Sequence, residues 1–514
     1  MRRLVVVSNR VGPLHDGGKA GGLAVGLGDA LRTRGGIWFG WSGEKSDEGT
    51  FGPLKIEEHG KVRLSTIDLT AEDAEEFYGG YANQTLWPLL HYRLDLANFD
   101  QRYENAYRRV NERMAARLTP QLQPGDMVWV HDYHYIVLGE RLRESGFSGP
   151  LAFFLHVPFP SPEIMTALPN SQSIVRSLTA YDVIGFQTDS DRRNFARYVV
   201  EELGGRELPN DELEAYGRTF RASTFPIGID TQSFAEFAVS DEAEEHEAQL
   251  KVLLRDRHQI IGVDRLDYSK GIPERFRGFE RLLQEYPENR GRVSLMQVAP
   301  LSRSDLEAYS DLRSELEELA GHINGAFSAL DWVPIRIMTR GFTRRALAGI
   351  YRASRVGLVT PLRDGMNLVA KEYVAAQNPD DPGVLVLSRF AGAVKEMPEA
   401  LIVNPYDTAS LARALQQALN MSREERKERW QAMFDRISKG TAQAWCDAIL
   451  KALEERADKK VQVRSAPTAS GKRPNAVEPK RARAEESFPK LPKGARPHAD
   501  EPKRPFPYLG SRVL

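Results

Sequence analysis

Short apolar runs alternate with longer amphipathic segments over most of the chain. The apolar runs predict strands at 3–9, 127–131, 151–157, 183–188, 260–265, 293–299, 356–361 and 384–388. The segments between them predict helices, among them 101–118, 191–203, 273–286, 304–320 and 343–352. Continuous apolar strands separated by helices are typical of parallel sheets that are covered on both faces. The pattern therefore predicts an α/β fold.

The predicted strands fall into two series, one before and one after about residue 235. FPIGID at 225–230 has a proline and two turn formers, and the acidic stretch 236–250 has no clear pattern, so we expect the linker there. A chain of 514 residues is also long for a single core. We predict two doubly wound, Rossmann-like domains, 1–235 and 236–440, that face each other across a cleft.

Composition excludes several classes of protein. No window approaches the run of about 20 apolar residues that a membrane span needs, and the run in MRRLVVVSNR is too short for a signal peptide. A formal net charge of −1 provides no general attraction to nucleic acid or to an anionic membrane. The single cysteine, Cys446, excludes an internal disulfide. We expect a cytoplasmic protein with no nucleic-acid or membrane partner.

The end of the chain differs from the rest. From Asp458 onward it is rich in Pro, Lys, Arg and Ala, without helical or strand periodicity. Such a stretch buries too little apolar surface to offset its ordering entropy, so we predict a disordered basic tail at 458–514. Two interpretations stay open for it, a solvated extension or a docking arm for an acidic partner.

Polar residues follow the predicted strands of the first half. Arg10 ends the first strand, and a loop with Gly21 and Gly22 then opens a helix. These glycines could expose helix N-terminal amides to an anion, or could form a plain flexible turn. Asp132 and His156 follow two further strands. A single histidine at a strand end is more often structural, but three polar strand ends together indicate a cleft.

The second half repeats this arrangement with positive charge. Arg265 and Lys270 stand around a strand end and suit a diphosphate, although an ion pair with Asp264 or Asp267 is the structural alternative. Arg303 follows another strand. In TPLRDGMNLVAKE, at 360–372, a strand runs directly into a helix whose first amides would face an anion.

The sequence offers no convincing metal site or nucleophile. The D-x-D of Asp189 and Asp191 opens a predicted helix, where Thr188 or Asp189 is better explained as an N-cap. His131 and His134 have no third ligand at a zinc spacing, and no G-x-S-x-G elbow occurs. We therefore expect no metal, and a leaving diphosphate would be stabilised by side-chain cations and helix amides.

Many motifs in the same order resemble one known family. They include VVVSNR, LWPLLHYR, VWVHDYH, FFLHVPFPSPE, RLDYSKGIPERF, TPLRDGMNLVAKEYVAAQ and FAGAVKEMPEALIVNPYD. From about residue 1 to 455 the chain resembles the trehalose-6-phosphate synthases of glycosyltransferase family 20. The resemblance implies a GT-B fold, with an acceptor domain at 1–235, a nucleotide-sugar domain at 236–440 and a helix at 441–457 that crosses back to the first domain.

The resemblance also implies an activity. The family transfers glucose from a nucleoside diphosphate glucose, usually UDP-glucose, to glucose 6-phosphate, giving α,α-trehalose 6-phosphate with retention. It needs no cofactor or metal and is thought to use a front-face substitution. Since no D-x-D-x-T phosphatase motif follows residue 455, we expect a separate trehalose-phosphate phosphatase. We also expect a homo-oligomer, either a dimer or a tetramer.

Site residues carry over from the family motifs to positions of this chain. The acceptor would be bound by Arg10, Trp41, Tyr78, Trp87, Asp132 and Arg303. The donor would be bound by Gly21, Gly22, Arg265, Lys270, Phe342, Asp364, Asn367, Leu368, Val369, Ala370, Lys371 and Glu372. The catalytic set would be Arg265, Lys270, His156, Asp132 and Asp364. Arg363 matches no contact, and we expect a structural ion pair for it within its turn.

Two other functions stay open at this point. A relative that glucosylates glycerol 3-phosphate would keep the donor half and change the acceptor half. A non-catalytic sugar-phosphate sensor would bind without turnover. The sequence does not decide between uridine, guanosine and adenosine as the donor base.

Overall fold

The computed structural model describes residues 2–12, 22–47, 51–303 and 306–465. Its strands are β1 Leu4–Arg10, β2 Gly36–Ser46, β3 Lys55–His59, β4 Val62–Thr70, β5 Met127–His131, β6 Leu151–Phe154, β7 Val183–Phe186, β8 Arg206–Leu208, β9 Glu212–Ala215, β10 Arg218–Thr224, β11 His258–Val263, β12 Val293–Val298, β13 Ile335–Met338, β14 Val356–Val359, β15 Val384–Ser388 and β16 Leu401–Val403.

The helices lie between and after these strands. They are α1 Gly22–Arg34, α2 Ala71–Asp73, α3 Trp87–Leu90, α4 Gln101–Leu118, α5 Leu138–Glu144, α6 Pro162–Met165, α7 Ser171–Leu178, α8 Asp189–Glu201, α9 Thr231–Phe237, α10 Asp241–Leu254, α11 Ile272–Glu285, α12 Glu307–Phe327, α13 Arg344–Arg352, α14 Leu368–Ala375, α15 Thr408–Asn420, α16 Arg423–Ile437 and α17 Ala442–Ser465. A π-helical segment, Ala74–Leu86, joins α2 to α3. None of the helices in the described ranges is long and apolar enough to cross a membrane.

Two sheets organise the described residues. The first has ten strands in the order β3-β4-β2-β1-β5-β6-β7-β10-β9-β8, and the second has six in the order β13-β12-β11-β14-β15-β16. The second sheet is parallel throughout, and the first is parallel from β4 to β10 with antiparallel strands outside them. The predicted α/β class, with two largely parallel sheets, is confirmed.

Both faces of the parallel strands are buried. In β1 the alternate residues Leu4 and Val6 pack into one apolar cluster, and Val5 and Val7 pack into another. All four are fully buried, because helices cover each side of the sheet. This double coverage explains why the strands read as continuous apolar runs in the sequence. It also leaves the carboxyl ends of the strands as the places where polar side chains can face an opening.

The structure corrects the sequence reading between the two sheets. The stretch 236–250 is not a linker, because α10 covers most of it with Ala243, Leu250 and Leu254 buried. Helix α9 also contains residue 235 and packs against α13 and α14 of the second sheet. The change from the first sheet to the second therefore lies before α9, in residues 225–230.

The last helix returns to the first sheet. Trp445 packs against Trp129 and Phe154, with ring centroids 4.9 and 5.0 Å apart. Arg456 forms a salt bridge of 2.7 Å with Glu212. The helix runs to Ser465, so residues 458–465, which the sequence assigned to a disordered tail, are helical. Residues 466–514 lie outside the described residues, and the remainder of the tail stays a prediction.

One glycine allows the second sheet to contact the first. A Cβ atom on Gly365, in the turn after β14, would lie 2.0 Å from the carbonyl oxygen of His156, which follows β6. A side chain at residue 365 would push the two backbones apart. The turn at 360–367 can therefore approach the first sheet only with glycine at this position.

We predict that Gly365→Ala destabilises the protein by about 1–3 kcal/mol, because the added methyl group overlaps a backbone atom that cannot rotate away. Gly321→Ala is the matched control, since a Cβ there meets no described atom within 4 Å outside the nearby backbone of its own helix α12, where alanine should raise stability by up to about 1 kcal/mol. Denaturant unfolding of both variants is the measurement. Equal stability of the two variants would show that the contact at residue 365 is not kept in solution.

Candidate active site

The carboxyl ends of the two sheets enclose a cavity of about 410 Å³. Predicted site residues form most of its lining: Trp87, His156, Arg265, Lys270, Asp364, Asn367, Leu368, Val369 and Glu372. The first two follow elements of the first sheet, and the others follow β11 and β14 of the second. Residues that the sequence separates by up to 285 positions, from Trp87 to Glu372, thus share one cavity.

Three candidate residues hold backbone conformations that are uncommon for residues other than glycine. Asp132, Arg303 and Asn367 have φ values of 71°, 51° and 72°. Such conformations cost free energy and persist where the surrounding structure over-determines them, which is frequent at functional sites. Each of the three follows a strand end, so the strain lies at the rim of the cleft.

A buried carboxylate organises the centre of the cleft. Asp267 is fully buried and lies 3.6 Å from the side-chain nitrogens of both Arg265 and Arg303. It also accepts hydrogen bonds from the Trp87 indole at 3.3 Å and from the backbone of Ser269 at 3.0 Å. Trp87 belongs to the first sheet's side of the cleft, so this carboxylate joins both sides.

The charge of Asp267 is secured by its neighbours. Burial alone would raise its pKa, but Arg265, Arg303 and Lys270 together lower the pKa to about 2. The carboxylate is therefore ionised throughout the neutral range. The two guanidinium groups also lie over the Trp87 ring, with Arg303 at 4.2 Å and Arg265 at 4.8 Å from its centroid.

Arg303 extends this cluster toward the first sheet. Its guanidinium donates to the Tyr133 hydroxyl at 3.1 Å and to the Tyr309 hydroxyl at 2.7 Å. The Tyr309 hydroxyl in turn donates to Asp267 at 3.2 Å. Only 8% of the Arg303 side chain is exposed, so its direction is set by these contacts.

Lys270 and Asp364 form a second charged pair in the cavity. The Lys270 ammonium donates to Asp364 Oδ2, which also accepts from the Asn367 amide at 3.1 Å. Burial would raise the pKa of Asp364, yet the charge and hydrogen bond of Lys270 hold it below its usual value. Asn367 is the N-cap residue before α14 and its side chain makes no capping hydrogen bond, so the first amides of α14 are left for a ligand.

An aromatic group holds the arginine at the end of β1. The Arg10 guanidinium lies 3.8 Å from the centroid of Trp41, which packs edge-on against Tyr78 at 5.3 Å. Gly43 makes room for it, since a Cβ there would lie 1.7 Å from Arg10 Nη1. His134 stacks on Tyr78 at 5.9 Å. The structure thus brings together three of the residues predicted for the acceptor, Arg10, Trp41 and Tyr78.

Two buried titratable groups of the first sheet, Asp132 and His156, complete the cleft. Burial raises the pKa of Asp132 to about 6, although hydrogen bonds from the Tyr133 and His156 backbones and the nearby arginines oppose the shift. Burial lowers the pKa of His156 to about 3. The imidazole is therefore neutral at neutral pH, and the carboxyl group of Asp132 is mostly ionised.

Of the other residues predicted to bind the donor, one lines the cavity and three do not. Glu372 lines the cavity, and burial raises its pKa to about 7 despite the charge of Arg344. Lys371 and Ala370 do not line it: the Lys371 ammonium is buried between Glu396 and the Ile227 carbonyl oxygen, 2.8 Å away. Its side chain thereby connects α14 to the segment 225–230. Phe342 also lies outside the cavity lining and contacts His246 and Arg340.

Two further predictions concern the glycine pair before α1 and the charge of Arg363. Gly22 is the first residue of α1, and Gly21 lies outside the described residues. The expected ion pair of Arg363 is wrong: no carboxylate in the described part of the chain lies within salt-bridge distance, and the guanidinium stacks 3.7 Å from the Tyr92 centroid. The stacking joins the turn after β14 to the first sheet's side of the cleft.

No cluster of three potential metal ligands occurs among the residues that the structure describes. Thr188 is the N-cap of α8, and its hydroxyl accepts from the Asp191 backbone at 3.2 Å, as predicted for the D-x-D. Asp191 itself accepts from the Phe159 backbone at 3.0 Å. The two aspartates of the D-x-D therefore lie in the first turn of a helix that Thr188 caps.

The sequence reading missed several residues that position the site. The sequence indicated Asp267 only as a possible ion-pair partner, and it predicted no binding or catalytic role for Tyr133, Tyr309 or His131. Asp267 and Tyr133 do stand within quoted motifs, RLDYSK and WVHDYH, so proximity to strand ends was an available signal. Tyr309 lies inside α12, where no such signal exists.

Comparisons with known proteins agree with this geometry. The sequence profile of glycosyltransferase family 20 matches residues 14–455. A trehalose-6-phosphate synthase of Sinorhizobium fredii is 48% identical over 463 residues, which cover 89% of this chain and 100% of that protein.

Solved structures are also similar to this chain. One is an α,α-trehalose-phosphate synthase (UDP-forming) from Burkholderia xenovorans in complex with glucose-6-phosphate, with a TM-score of 0.85, 46% identity, and coverage of 88% of this chain and 100% of that one. Another, from E. coli and bound with UDP-2-fluoro glucose, has a TM-score of 0.85, 46% identity, and coverage of 88% and 99%.

We predict that Asp267→Asn lowers the free energy of unfolding by about 3–5 kcal/mol at neutral pH, because the buried Arg303 and the partly exposed Arg265 lose their shared counter-charge. The exposed pair of Arg93 with Asp95 supplies the control, and Asp95→Asn should cost at most about 1 kcal/mol. Denaturant unfolding measures both.

The same variant has a pH signature. Since the folded pKa of Asp267 is depressed to about 2, its contribution is complete above the unfolded value of about 3.9 and disappears as the pH falls toward the folded value. The stability difference between wild type and Asp267→Asn should therefore shrink in acid. A difference that is small at neutral pH, or that grows in acid, would contradict the role given to this carboxylate.

Proposed function

The chain belongs to glycosyltransferase family 20, and we propose that it transfers glucose from UDP-glucose to glucose 6-phosphate, with retention, to give α,α-trehalose 6-phosphate and UDP. The observation that carries this proposal is the presence of two sets of cations in one cleft. Arg265 and Lys270 line the cavity at the ends of the second sheet. Arg10 lies on Trp41 of the first sheet, and Arg303, which shares Asp267 with Arg265, reaches Tyr133 of the first sheet. Two phosphate-bearing substrates need two such sets.

The second sheet is suited to the nucleotide sugar. Arg265, Lys270 and the uncapped first amides of α14 can neutralise a diphosphate. Glu372 lies in the first turns of the same helix and would accept from the ribose hydroxyls. Asp364, held by Lys270 and Asn367, would bind hydroxyls of the glucosyl group.

The first sheet is suited to the acceptor. Arg10, Tyr78 and Arg303 would bind the 6-phosphate, and Trp41 and Trp87 would shape the sugar pocket around it. Asp132 would accept from acceptor hydroxyls, which requires the ionised carboxyl group that predominates above a pKa of about 6. Such a site favours glucose 6-phosphate over a smaller phosphate ester, because the aromatic walls need a sugar ring to contact.

The reaction is a substitution on one face of the donor sugar. The anomeric hydroxyl oxygen of glucose 6-phosphate forms a bond to C1 of the glucosyl group as the bond from C1 to the diphosphate oxygen breaks. The acceptor proton passes to the leaving phosphate, whose charge Arg265 and Lys270 stabilise. His156 would orient the glucosyl group beside this centre, and no metal is required.

Three finer expectations belong to the same proposal. The enzyme forms a homo-oligomer, its product is dephosphorylated by a separate phosphatase, and it works in the cytoplasm. Size-exclusion chromatography with light scattering addresses the first of these directly. The other two follow from the resemblance and from the single cysteine.

The decisive experiment offers UDP-, GDP- and ADP-glucose in turn with glucose 6-phosphate in the presence of a metal chelator. Released nucleoside diphosphate and the disaccharide phosphate are measured separately. We expect both products, with UDP-glucose the best donor. Glycerol 3-phosphate serves as the competing acceptor and should give little product. Binding without turnover for every donor would identify a sensor and refute the enzymatic function.

We predict that Arg265→Ala and Lys270→Ala each lower kcat by about 100- to 1000-fold, because the charge of the leaving diphosphate is left unstabilised. Arg281→Ala is a matched control, since this partly exposed arginine of α11 pairs only with Glu285 at 2.6 Å and Thr408 among the described residues. Steady-state kinetics with thermal denaturation separate chemistry from folding. Unchanged turnover in both variants would remove this role from them.

A further inference from the structure

His131, the last residue of β5, contacts the ring of His156 behind the cavity. The Nδ1 atom of His131 lies 3.0 Å from Nε2 of His156, and the two rings are nearly parallel with centroids 5.3 Å apart. His131 is buried and does not line the cavity, whereas His156 does. The His156 backbone is also fixed, since its N–H donates to Asp132 at 3.2 Å.

A single proton lies between His131 Nδ1 and His156 Nε2. Burial lowers the pKa of both imidazoles, and the neighbouring His156 lowers the pKa of His131 further, so both are neutral at neutral pH. One of the two nitrogens in contact therefore donates and the other accepts. Because a neutral imidazole carries a single N–H, this choice determines which nitrogen of each ring is protonated.

The surroundings of His131 favour one of the two arrangements. Its Nε2 atom is buried and has no hydrogen-bond partner among the described residues. The rings of Trp129 and Trp445 lie 4.4 and 6.2 Å away. A proton on Nε2 would be a buried N–H without an acceptor, which is rarer and more costly than an unpaired acceptor. The proton of His131 therefore belongs on Nδ1, where it is donated to His156 Nε2.

This arrangement decides what His156 presents to the cavity. Its Nε2 accepts from His131, so its own proton must sit on Nδ1. That atom makes no hydrogen bond within the described residues, and it is not among the buried unpaired atoms. It is the ring nitrogen that remains accessible from the cavity.

We propose that His131 is a positioning residue that holds His156 in a single orientation and tautomer, with Nδ1–H directed at the glucosyl group of the donor. The proposal rests on the proposed function for the identity of the ligand. Trp445 of α17 packs against both rings, 5.8 Å from His156. The last helix thus excludes water from the pair, which keeps the second tautomer unfavourable.

The first test uses the unliganded full-length protein and does not depend on catalysis. Nitrogen-15 spectra of histidine-labelled protein distinguish protonation at Nδ1 from protonation at Nε2, and variants at residues 131 and 156 assign the signals. We expect Nδ1–H for both residues at neutral pH. A signal for His156 that is protonated on Nε2, or averaged between the two tautomers, would overturn the proposal.

The second test compares His131→Asn with His131→Leu, two side chains of similar size. The asparagine amide keeps an N–H donor near the position of Nδ1, whereas leucine has none. We expect kcat to fall about 10- to 100-fold in the leucine variant and to recover largely in the asparagine variant, because a displaced reacting group costs rates of this order. The KM for glucose 6-phosphate should stay unchanged in both.

Stability separates this role from a purely structural one. Leucine suits the buried position at least as well as asparagine, since an unpaired amide is costly there. The leucine variant should therefore be equally or more stable, yet less active. If activity follows stability across the two variants, or if both have equal kcat, His131 only fills space. Wild-type activity in the same assay keeps a failure of this proposal distinct from a failure of the proposed function.

Discussion

The buried carboxylate of Asp267 is the interaction on which the rest of the cleft depends. It holds Arg265 and Arg303 from the second sheet's side and accepts from Trp87 on the first. An ionised group without water is tolerated only when charges and hydrogen bonds compensate it, and here they lower its pKa to about 2. The Asp267 carboxylate therefore sets both the distance between the two sides of the cleft and the direction of the two guanidinium groups.

The charged groups of the cleft are preorganised, since other side chains of the protein hold them in place. Lys270 rests on Asp364, Arg265 and Arg303 share Asp267, and Arg10 lies on Trp41. Side chains held in this way lose little further freedom on binding, and their fields need little reorganisation during a reaction. The histidines behave oppositely: burial keeps His131 and His156 uncharged, so they contribute directed hydrogen bonds without adding to the positive charge.

Much of the scaffold could be predicted from local pattern. Strands 127–131 and 384–388 and helix 101–118 were predicted to the residue, because a fully buried strand reads as a continuous apolar run and Asp100 caps the helix. Helix α10 was missed, although three acidic residues in its first turn are a usual helix start. The π-helical segment 74–86 has its apolar residues at helical spacing, at 74, 77, 78, 81, 82 and 86, but this spacing does not distinguish π-helical from α-helical hydrogen bonding.

The sequence by itself determined which chemistry stands at each strand end, because burial and chain direction place the residues after parallel strands at one edge of a sheet. It also determined the family, through motifs that persist in order over most of the chain. Only the tertiary structure decided which of these residues meet. Trp87 and Asp267 are 180 positions apart, and Arg303 and Tyr133 are 170 apart. Contacts of this separation leave no period in the sequence, since they arise from how two independently patterned sheets dock against each other.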